Sequence, residues 1–180
     1  MKYLCVFCGS RVGNQPEYAA AAREIGRGLV QRGWGLVYGG GHIGMMGALA
    51  DTVLAAGGSV IGVIPRSLVE RELAHPELED LRIVGTMHER KAVMADLASA
   101  FLALPGGYGT LDELFEILTW AQLKFHDKPI GLLNTGGFYD SLLAWIDRAL
   151  EADFLKPKYR QLLTMAADPE TMLTQLLART

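Results

Sequence analysis

The sequence contains little cysteine and no long apolar segment, and both absences exclude classes of protein. Two of its 180 residues are cysteines, and its four histidines are scattered without the spacing of metal ligands. No apolar run approaches the ~20 residues that span a bilayer, and the run after Lys2 is too short for the core of an export signal. We therefore expect a cytoplasmic protein that binds no membrane and no metal, since cytosolic proteins rarely depend on disulfides.

A large excess of charge of one sign is also absent. The formal net charge is −3, so bulk charge predicts no binding to nucleic acid. The length fits one domain, residues 1–180, and a hydrophobic content of 50% is enough to form a sizeable core. A local basic pocket for a phosphate group remains compatible with this composition.

Cys5 and Cys8 have the C-x-x-C spacing of some redox and metal sites, but their surroundings indicate a buried strand. Residues three apart on a strand are ~10 Å apart and point to opposite faces. A disulfide needs α-carbons within ~7 Å of each other. We therefore expect two buried thiols without a redox or metal function.

Apolar runs and helical patterns alternate along the chain. Runs rich in Val, Ile and Leu occupy residues 3–8, 36–38, 59–64, 81–84, 100–104 and 130–134. Helical patterns lie between them at residues 16–32, 44–56, 87–98, 111–124 and 138–152. A short apolar piece at 162–166 precedes a helix capped by Asp168, and the longest irregular segment is 65–80. Continuously apolar strands are typical of a parallel sheet covered on both faces. The pattern predicts an α/β fold in a single domain, with a Rossmann-like, doubly wound, mainly parallel sheet and helices on both faces.

The first of two glycine-rich turns follows the second predicted strand. It matches the G-x-G-x-x-G pattern of dinucleotide sites and reads Gly39-Gly40-Gly41-His42-Ile43-Gly44. That pattern normally follows the first strand, and Ser59 occupies the place where an acidic residue is expected, roughly 20 positions later. Two interpretations remain: the glycines let a helix pack close to the sheet, or the backbone at Gly40 and Gly41 lines a nucleotide pocket. We favour the pocket, because ligands in this architecture bind at the carboxyl ends of the strands.

The second glycine-rich turn joins a buried strand to a helix and reads Pro105-Gly106-Gly107-Tyr108-Gly109-Thr110. Its glycines allow the backbone to approach a ligand closely, and the free amides at the start of the next helix bind anions. The chain contains no Gly-Lys pair, which excludes the P-loop that grips a triphosphate. The turn therefore predicts a phosphate site that fits a monophosphate better than a triphosphate.

Glu113 can be interpreted in two ways. With Thr110 it forms the T-x-x-E pattern of a capping box, in which the glutamate bonds back to the amide of the cap residue. The residues alone favour this capping role over a chemical one. Its neighbours Asp112 and Glu116 are ordinary acidic residues near a helix N-terminus.

Arg90 lies on the apolar stripe of a predicted helix. Three residues at helical spacing form that stripe: Met87, Met94 and Leu97. A guanidinium that points inward is costly unless an anion or a carboxylate meets it. It therefore meets either a bound ligand or one of three carboxylates, those of Glu72, Glu89 and Glu113. The neighbouring Lys91 either reaches solvent or contacts phosphate.

These motifs together resemble one family. Pro105-Gly-Gly-Tyr-Gly-Thr-x-x-Glu113, Met87-His-Glu-Arg-Lys91 and the 39–47 turn are similar to the cytokinin-activating phosphoribohydrolases known as "Lonely Guy" proteins. Many members carry the label "possible lysine decarboxylase". The similarity covers nearly the whole chain, from the segment 6–10 to the helix that Asp168 opens.

The resemblance implies an activity and a set of site residues. Members hydrolyse the N-glycosidic bond of cytokinin riboside 5′-monophosphates, and many also that of AMP, giving free base and ribose 5-phosphate. The implied catalytic pair is Arg90 and Glu113. The implied substrate contacts are Glu72, Arg90, Lys91, Gly106, Gly107, Tyr108, Gly109, Thr110, Leu111, Asp112 and Thr119. The resemblance also implies a homodimer or a larger homo-oligomer.

The chemistry of the reaction fits the implied pair. Cleavage develops positive charge on the sugar and negative charge on the leaving base. A carboxylate such as Glu113 can stabilise the sugar or orient the attacking water, and Arg90 can offset the negative charge. Which of the two handles the proton stays open, and the reaction needs no metal or organic cofactor.

Two other functions must be weighed. A lysine decarboxylase needs a lysine that forms a Schiff base with pyridoxal phosphate. Of the six lysines, Lys91 alone lies in a strong motif, and it is next to an arginine in a predicted phosphate site. We therefore reject the decarboxylase function. A non-catalytic carrier or sensor of a nucleotide-like ligand is the remaining alternative, and it would not need the pair Arg90 and Glu113.

Overall fold

Seven parallel strands form one sheet in the computed structural model, which describes residues 1–71 and 73–180. The strands are Tyr3–Phe7 (β1), Gly35–Tyr38 (β2), Val60–Pro65 (β3), Asp80–Val84 (β4), Ala100–Ala103 (β5), Ile130–Leu133 (β6) and Leu163–Ala166 (β7). Their order is β4-β3-β2-β1-β5-β6-β7, and every neighbouring pair is parallel. The predicted doubly wound parallel sheet is confirmed, and the apolar piece at 162–166 becomes its edge strand β7.

Helices connect the strands. They are Pro16–Gln31 (α1), Gly44–Ala55 (α2), Arg66–Val69 (α3), Met87–Leu97 (α4), Tyr108–Gln122 (α5), Asp140–Glu151 (α6), Pro157–Arg160 (α7) and Pro169–Leu177 (α8), with a 3-10 turn at Thr135–Gly137. Two differences from the prediction matter below: α3 lies inside the segment expected to be irregular, and α5 begins three residues before Leu111. Among the described residues, no helix is both long and apolar enough to cross a bilayer.

Each face of the sheet has its own hydrophobic core. Residues of α1, α2 and α8 pack on one face against β1 side chains such as Leu4 and Val6. Residues of α4, α5 and α6 cover the other face, where Phe7 and Cys5 lie. Cys8 belongs to the first core, so the two thiols point to opposite faces and both are free and buried, as expected from strand alternation.

The strand order reverses at β1, and this reversal creates the crevice in which the site lies. β2 pairs with one edge of β1 and β5 with the other, so the loops after these three strands meet at the carboxyl end of the sheet. The loop after β1 joins the other two: the Gly9 amide donates to the Pro105 carbonyl (3.1 Å), and the Met45 amide donates to the Gly9 carbonyl (3.2 Å).

Candidate active site

A cavity of about 360 Å³ opens at this crevice. Turns after β1, β2 and β5, the first turns of α4 and α5, and the segment around α3 form its walls. The lining residues that the sequence analysis had named as site candidates are Gly41, Arg90, Gly107, Tyr108, Gly109, Thr110, Asp112 and Glu113. The two glycine-rich turns and the arginine therefore meet in one place.

The side chain of Arg90 reaches this cavity from the first turn of α4. Thr86 caps the helix, because its hydroxyl accepts a hydrogen bond from the Glu89 amide (3.1 Å). Arg90 is 9% exposed. Its Nε donates to the Val63 carbonyl (3.0 Å) and its Nη2 to the Gly39 carbonyl (3.3 Å). Two main-chain oxygens therefore hold the guanidinium beside β2 and β3.

Glu113 meets the remaining nitrogen of that guanidinium. Its Oε1 lies 3.3 Å from Nη1 of Arg90, and both side chains are about nine-tenths buried. Burial raises the pKa of the Glu113 carboxyl to about 7, although the positive charge of Arg90 opposes this change. A carboxyl with this pKa can accept or release a proton at neutral pH, which is the property required of a general acid or base.

Of the other two carboxylates considered for Arg90, only Glu89 belongs to the described residues, and it bonds elsewhere. Glu89 accepts a hydrogen bond from the Gly85 amide (2.8 Å) at the start of α4. Glu72 lies outside the residues that the structure describes. Arg90 therefore forms a salt bridge with Glu113, one of the alternatives expected from the sequence, and this salt bridge lies inside the cavity.

The capping interpretation of Glu113 is wrong, because α5 begins earlier than predicted. Its first residue is Tyr108, and Gly107 at the cap position has no side chain to accept a hydrogen bond. Thr110 thus lies within the first turn. Glu113 follows it by three residues, and its carboxylate faces Arg90 instead of a cap amide. The carboxyl therefore has no capping role.

The 105–110 turn is pressed against the loop after β1. A Cβ on Gly106 would come within 2.9 Å of the Gly9 nitrogen and would collide with the Thr110 side chain, so the close approach requires glycine here. The turn leads directly into α5, and the first amides of a helix have no partner within it. An anion in the cavity would meet these amides and the positive end of the helix dipole.

The 39–44 turn forms another wall. Gly40 and Gly44 have φ of +73° and +67°. Residues other than glycine rarely adopt this backbone conformation. Gly39, Gly41 and Ile43 line the cavity. Gly40 instead packs toward β3, where an added Cβ would meet Ile64 at 3.1 Å. The turn therefore supplies backbone to the cavity wall and also packs closely on the sheet.

Apolar side chains also line the cavity. They are Ile43, Met46, Ile64, Leu68, Leu73 and Met87. Sequence reasoning did not identify Leu68 and Leu73, because their segment has no regular periodicity. Ile64 carried the one usable signal, since it lies near the carboxyl end of a buried strand.

The remaining predicted contacts lie outside the cavity wall, and their roles stay predictions. They are Gly40, Lys91, Gly106, Leu111 and Thr119. The Thr119 hydroxyl donates to the Phe115 carbonyl (2.7 Å). Thr119 lines a separate groove between α5 and α6.

Lys91 is held by two carboxylates at the edge of the cavity. Its Nζ lies 3.1 Å from Asp112 Oδ2 and 3.1 Å from Glu116 Oε1. Burial lowers the pKa of Lys91, but hydrogen bonds to these two residues raise it above its usual value. An amine must lose its proton to form a Schiff base, so this environment opposes the decarboxylase chemistry that the family label suggests.

A family model described as "possible lysine decarboxylase" matches residues 46–176. A probable cytokinin riboside 5′-monophosphate phosphoribohydrolase of Oryza sativa subsp. japonica is 50% identical over 173 residues, which is 96% of this chain and 70% of the relative. A cytokinin riboside 5′-monophosphate phosphoribohydrolase of Arabidopsis thaliana is 50% identical over 175 residues, 97% of this chain and 82% of the relative.

Solved structures with the same fold include two proteins of a different description. A molybdenum cofactor binding protein from the phototrophic bacterium Rippkaea orientalis has a TM-score of 0.75 at 20% identity, covering 99% of this chain and 97% of that one. The Moco carrier protein from Chlamydomonas reinhardtii has a TM-score of 0.73 at 22% identity, covering 99% of both chains. At these identities the similarity concerns the fold alone. The family match and the two relatives at 50% identity decide membership, and the chain belongs to the family of cytokinin riboside 5′-monophosphate phosphoribohydrolases, enzymes that hydrolyse an N-glycosidic bond.

Proposed function

We propose that this protein hydrolyses the N-glycosidic bond of a nucleoside 5′-monophosphate, namely a cytokinin riboside 5′-monophosphate, AMP or both. The products are the free base and ribose 5-phosphate. The observation that carries the proposal is the buried pair Arg90–Glu113, with 3.3 Å between Nη1 and Oε1, inside a cavity built from two glycine-rich turns. A protein that only carries a nucleotide has no need for a carboxyl with a pKa of about 7 at this place.

The phosphate group is proposed to bind at the start of α5. Tyr108, Gly109 and Thr110 line the cavity at the first turn of that helix, where free amides and the helix dipole favour an anion. No lysine or metal is needed to hold a single phosphate there. This arrangement supports a monophosphate as substrate.

The base is proposed to bind against the apolar wall. Leu68 and Leu73 lie on the segment that follows β3, a strand that β2 and β1 separate from β5 in the sheet, and Met87 lies beside Arg90. Such a surface suits the flat ring of adenine and also an attached prenyl group. Both AMP and a prenylated AMP are therefore substrates to test.

The pair supplies the chemistry as follows. Cleavage of the bond between C1′ and the base leaves positive charge on the ribose, which the Glu113 carboxylate stabilises. A water molecule adds to C1′ and gives up a proton, for which a carboxyl with a pKa near 7 is a suitable acceptor. The leaving base takes the bonding electrons, and Arg90 offsets the negative charge that grows there. The proton that water gave to Glu113 then passes to the base, which leaves as the neutral free base and returns Glu113 to its carboxylate form.

The experiment is to incubate the pure protein with AMP and with isopentenyl-AMP and to measure free base by chromatography. Glu113→Gln keeps the size of the side chain but removes the proton acceptor, so we expect base release to fall about 10³-fold, within the range for general acid–base catalysis. Glu116→Gln, one turn further along α5, is the matched control and is expected to retain activity within about threefold. Equal rates for Glu113→Gln and the parent would exclude the proposed role.

The carrier alternative has a separate signature in the same experiment. A parent protein that binds AMP in calorimetry but releases no base from either nucleotide would favour a carrier or sensor. If the parent releases base and Glu113→Gln does not, the carrier function is excluded.

We also propose that the protein is a homodimer that associates through the groove between α5 and α6. This groove of about 430 Å³ is lined by Phe115, Trp145 and Phe154, of which the last two are 58% and 89% exposed. Phe115 and Trp145 pack edge to face at 5.7 Å. Large exposed aromatic side chains around one apolar groove are typical of an interface. A second copy is the proposed occupant, because the motifs of the chain resemble those of a family of homo-oligomers.

A further inference from the structure

Residues 73–75, here called the strap, pair with the backbone of the 39–44 turn. The His42 amide donates to the Leu73 carbonyl (3.2 Å), and the His75 amide donates to the Gly40 carbonyl (2.9 Å). Between these bonds, Gly41 and Ala74 form an isolated antiparallel bridge. The strap is thus bonded to the backbone of a turn that lines the cavity.

The side chain of His75 attaches the strap to a second element. Its Nε2 lies 3.0 Å from Oδ1 of Asp51, a residue of α2, and its ring is almost fully buried. The Glu77 amide donates to Nδ1 (3.3 Å). Because an amide can only donate, Nδ1 has no proton, and the proton of the neutral ring lies on Nε2, which donates to Asp51.

The two ends of this arrangement reach the site. Leu73, at one end of the strap, lines the cavity together with Gly41. Gly39, in the turn that the strap covers, accepts the hydrogen bond from Arg90 Nη2 at 3.3 Å. The strap therefore supplies part of one cavity wall and bonds to the turn that also provides one contact of the guanidinium.

We propose that His75 and Asp51 are positioning residues: their hydrogen bond holds the strap on the 39–44 turn and so shapes the wall against which the substrate binds. Neither side chain touches the cavity. The bond from Arg90 to Val63 and its contact with Glu113 do not involve the strap. The pair therefore acts on substrate binding more than on the chemical step. This inference rests on the proposed function, since it takes AMP as the substrate.

The test is to break the contact to Asp51 while keeping the rest of His75. In His75→Asn the side-chain oxygen can still accept from the Glu77 amide, but nothing reaches Asp51. We expect the KM for AMP to rise about tenfold, because a hydrogen bond to a charged group accounts for at least that factor, while kcat changes less than about threefold. Hydrogen exchange at the His42 and His75 amides should become faster, since both lie in the bonded strap.

Conservative variants should restore binding. His75→Gln places an amide donor near the position of Nε2, and Asp51→Asn keeps an oxygen that accepts from the neutral ring. Both are expected to have a KM close to that of the parent. Asp51→Ala should match His75→Asn, and the double variant should be no worse than either, because the two residues act through one bond.

His126 is a matched control in the same chain. Its Nε2 lies 3.0 Å from the Ile117 carbonyl, and the Lys128 amide donates to its Nδ1 (3.1 Å). It therefore has the same pattern of bonds but does not line the cavity. His126→Asn should lower the free energy of unfolding as His75→Asn does, while the KM for AMP stays unchanged.

Two results would overturn the proposal. One is unchanged amide exchange in His75→Asn, and the other is faster exchange with the KM of the parent. A parent protein that binds AMP but releases no base would overturn the proposed hydrolysis alone. The strap is then tested by the dissociation constant for AMP from calorimetry, with the same expected change of about tenfold.

Discussion

Burial and the charge of Arg90 have opposite effects on the pKa of Glu113. Desolvation raises the pKa of the Glu113 carboxyl, and the nearby guanidinium lowers it by a smaller amount, which leaves the pKa at about 7. Arg90 remains charged because its guanidinium keeps its proton in proteins. At neutral pH the pair therefore has one fixed charge and one carboxyl that readily exchanges a proton.

The raised pKa makes folding stability depend on pH. The pKa of Glu113 changes from 4.5 to about 7 on folding. Between pH 4.5 and about 7 the folded protein therefore holds a proton that the unfolded chain has lost. The free energy of unfolding therefore falls as pH rises through this range, by about 3 kcal/mol in all. Glu113→Gln has no such proton, and its stability relative to the parent should rise from pH 4.5 to 7 and then stay level.

Urea unfolding of the parent and of Glu113→Gln at several pH values measures this difference. Glu116→Gln serves as the control for loss of a carboxylate from α5. A difference between parent and Glu113→Gln that is the same at every pH would contradict the raised pKa.

Single residues differ in how far the sequence alone revealed them. Arg90 stood out because a charge on an apolar stripe demands a partner. Glu113 was interpreted as a cap, since its spacing from Thr110 fits a capping box, and only the true start of α5 removes that role. The contact between His75 and Asp51 could not be predicted, because it joins residues 24 positions apart through the tertiary fold.

At the scale of elements, the 105–110 turn has two glycines with different surroundings. A Cβ on Gly106 would collide with Thr110 and approach the Gly9 nitrogen, whereas a Cβ on Gly109 would meet no atom within 4 Å. Gly109 nevertheless lines the cavity. The first glycine is required by packing, and the second leaves space that a ligand can fill.

Alanine substitutions should separate these two requirements. Gly106→Ala should lower the free energy of unfolding by about 2 kcal/mol through overpacking. Gly109→Ala should be at least as stable as the parent, since alanine favours helix by up to about 1 kcal/mol. Its methyl group would meet the bound phosphate, so we expect the KM for AMP to rise about tenfold, a loss of about 1.4 kcal/mol in binding. Urea unfolding and steady-state kinetics give both values, and a normal KM for Gly109→Ala would place the phosphate elsewhere.

The sequence predicted most elements because each has a regular pattern. The inner strands such as β1 and β5 are continuously apolar, and α1 has helical periodicity, so their types follow from burial alone. The short helix α3 was missed, because Arg66–Val69 is too short to show a period. The apolar cavity wall at Leu68 and Leu73 was missed for the same reason.

At the scale of the whole molecule, the cavity and the α5–α6 groove lie on either side of one helix. α5 presents Glu113 to the cavity and Phe115 to the groove. If two copies meet at the groove, the helix that carries the catalytic carboxyl is buried along both sides. Association and activity then depend on the same element.

The oligomeric state can be tested with one aromatic residue. Phe154→Glu places a charge on the groove, and we expect it to convert a dimer into a monomer in size-exclusion chromatography with light scattering, because an unpaired charge in an apolar interface is strongly unfavourable. Phe125→Glu is the control, since Phe125 is 74% exposed but lies outside the groove. A monomeric parent protein would exclude the proposed dimer.

The anchors of Arg90 have a consequence for how this enzyme can diverge. Two of its contacts are main-chain carbonyls, those of Gly39 and Val63, and no substitution at either position removes an oxygen of the backbone. The apolar wall is made of side chains, and Leu68 and Leu73 stand on a separate segment of chain. Mutation can therefore reshape the surface proposed to bind the base while the pair Arg90–Glu113 stays in place. If the proposed roles hold, new substrate preferences are accessible by a few changes on that wall, without rebuilding the pair.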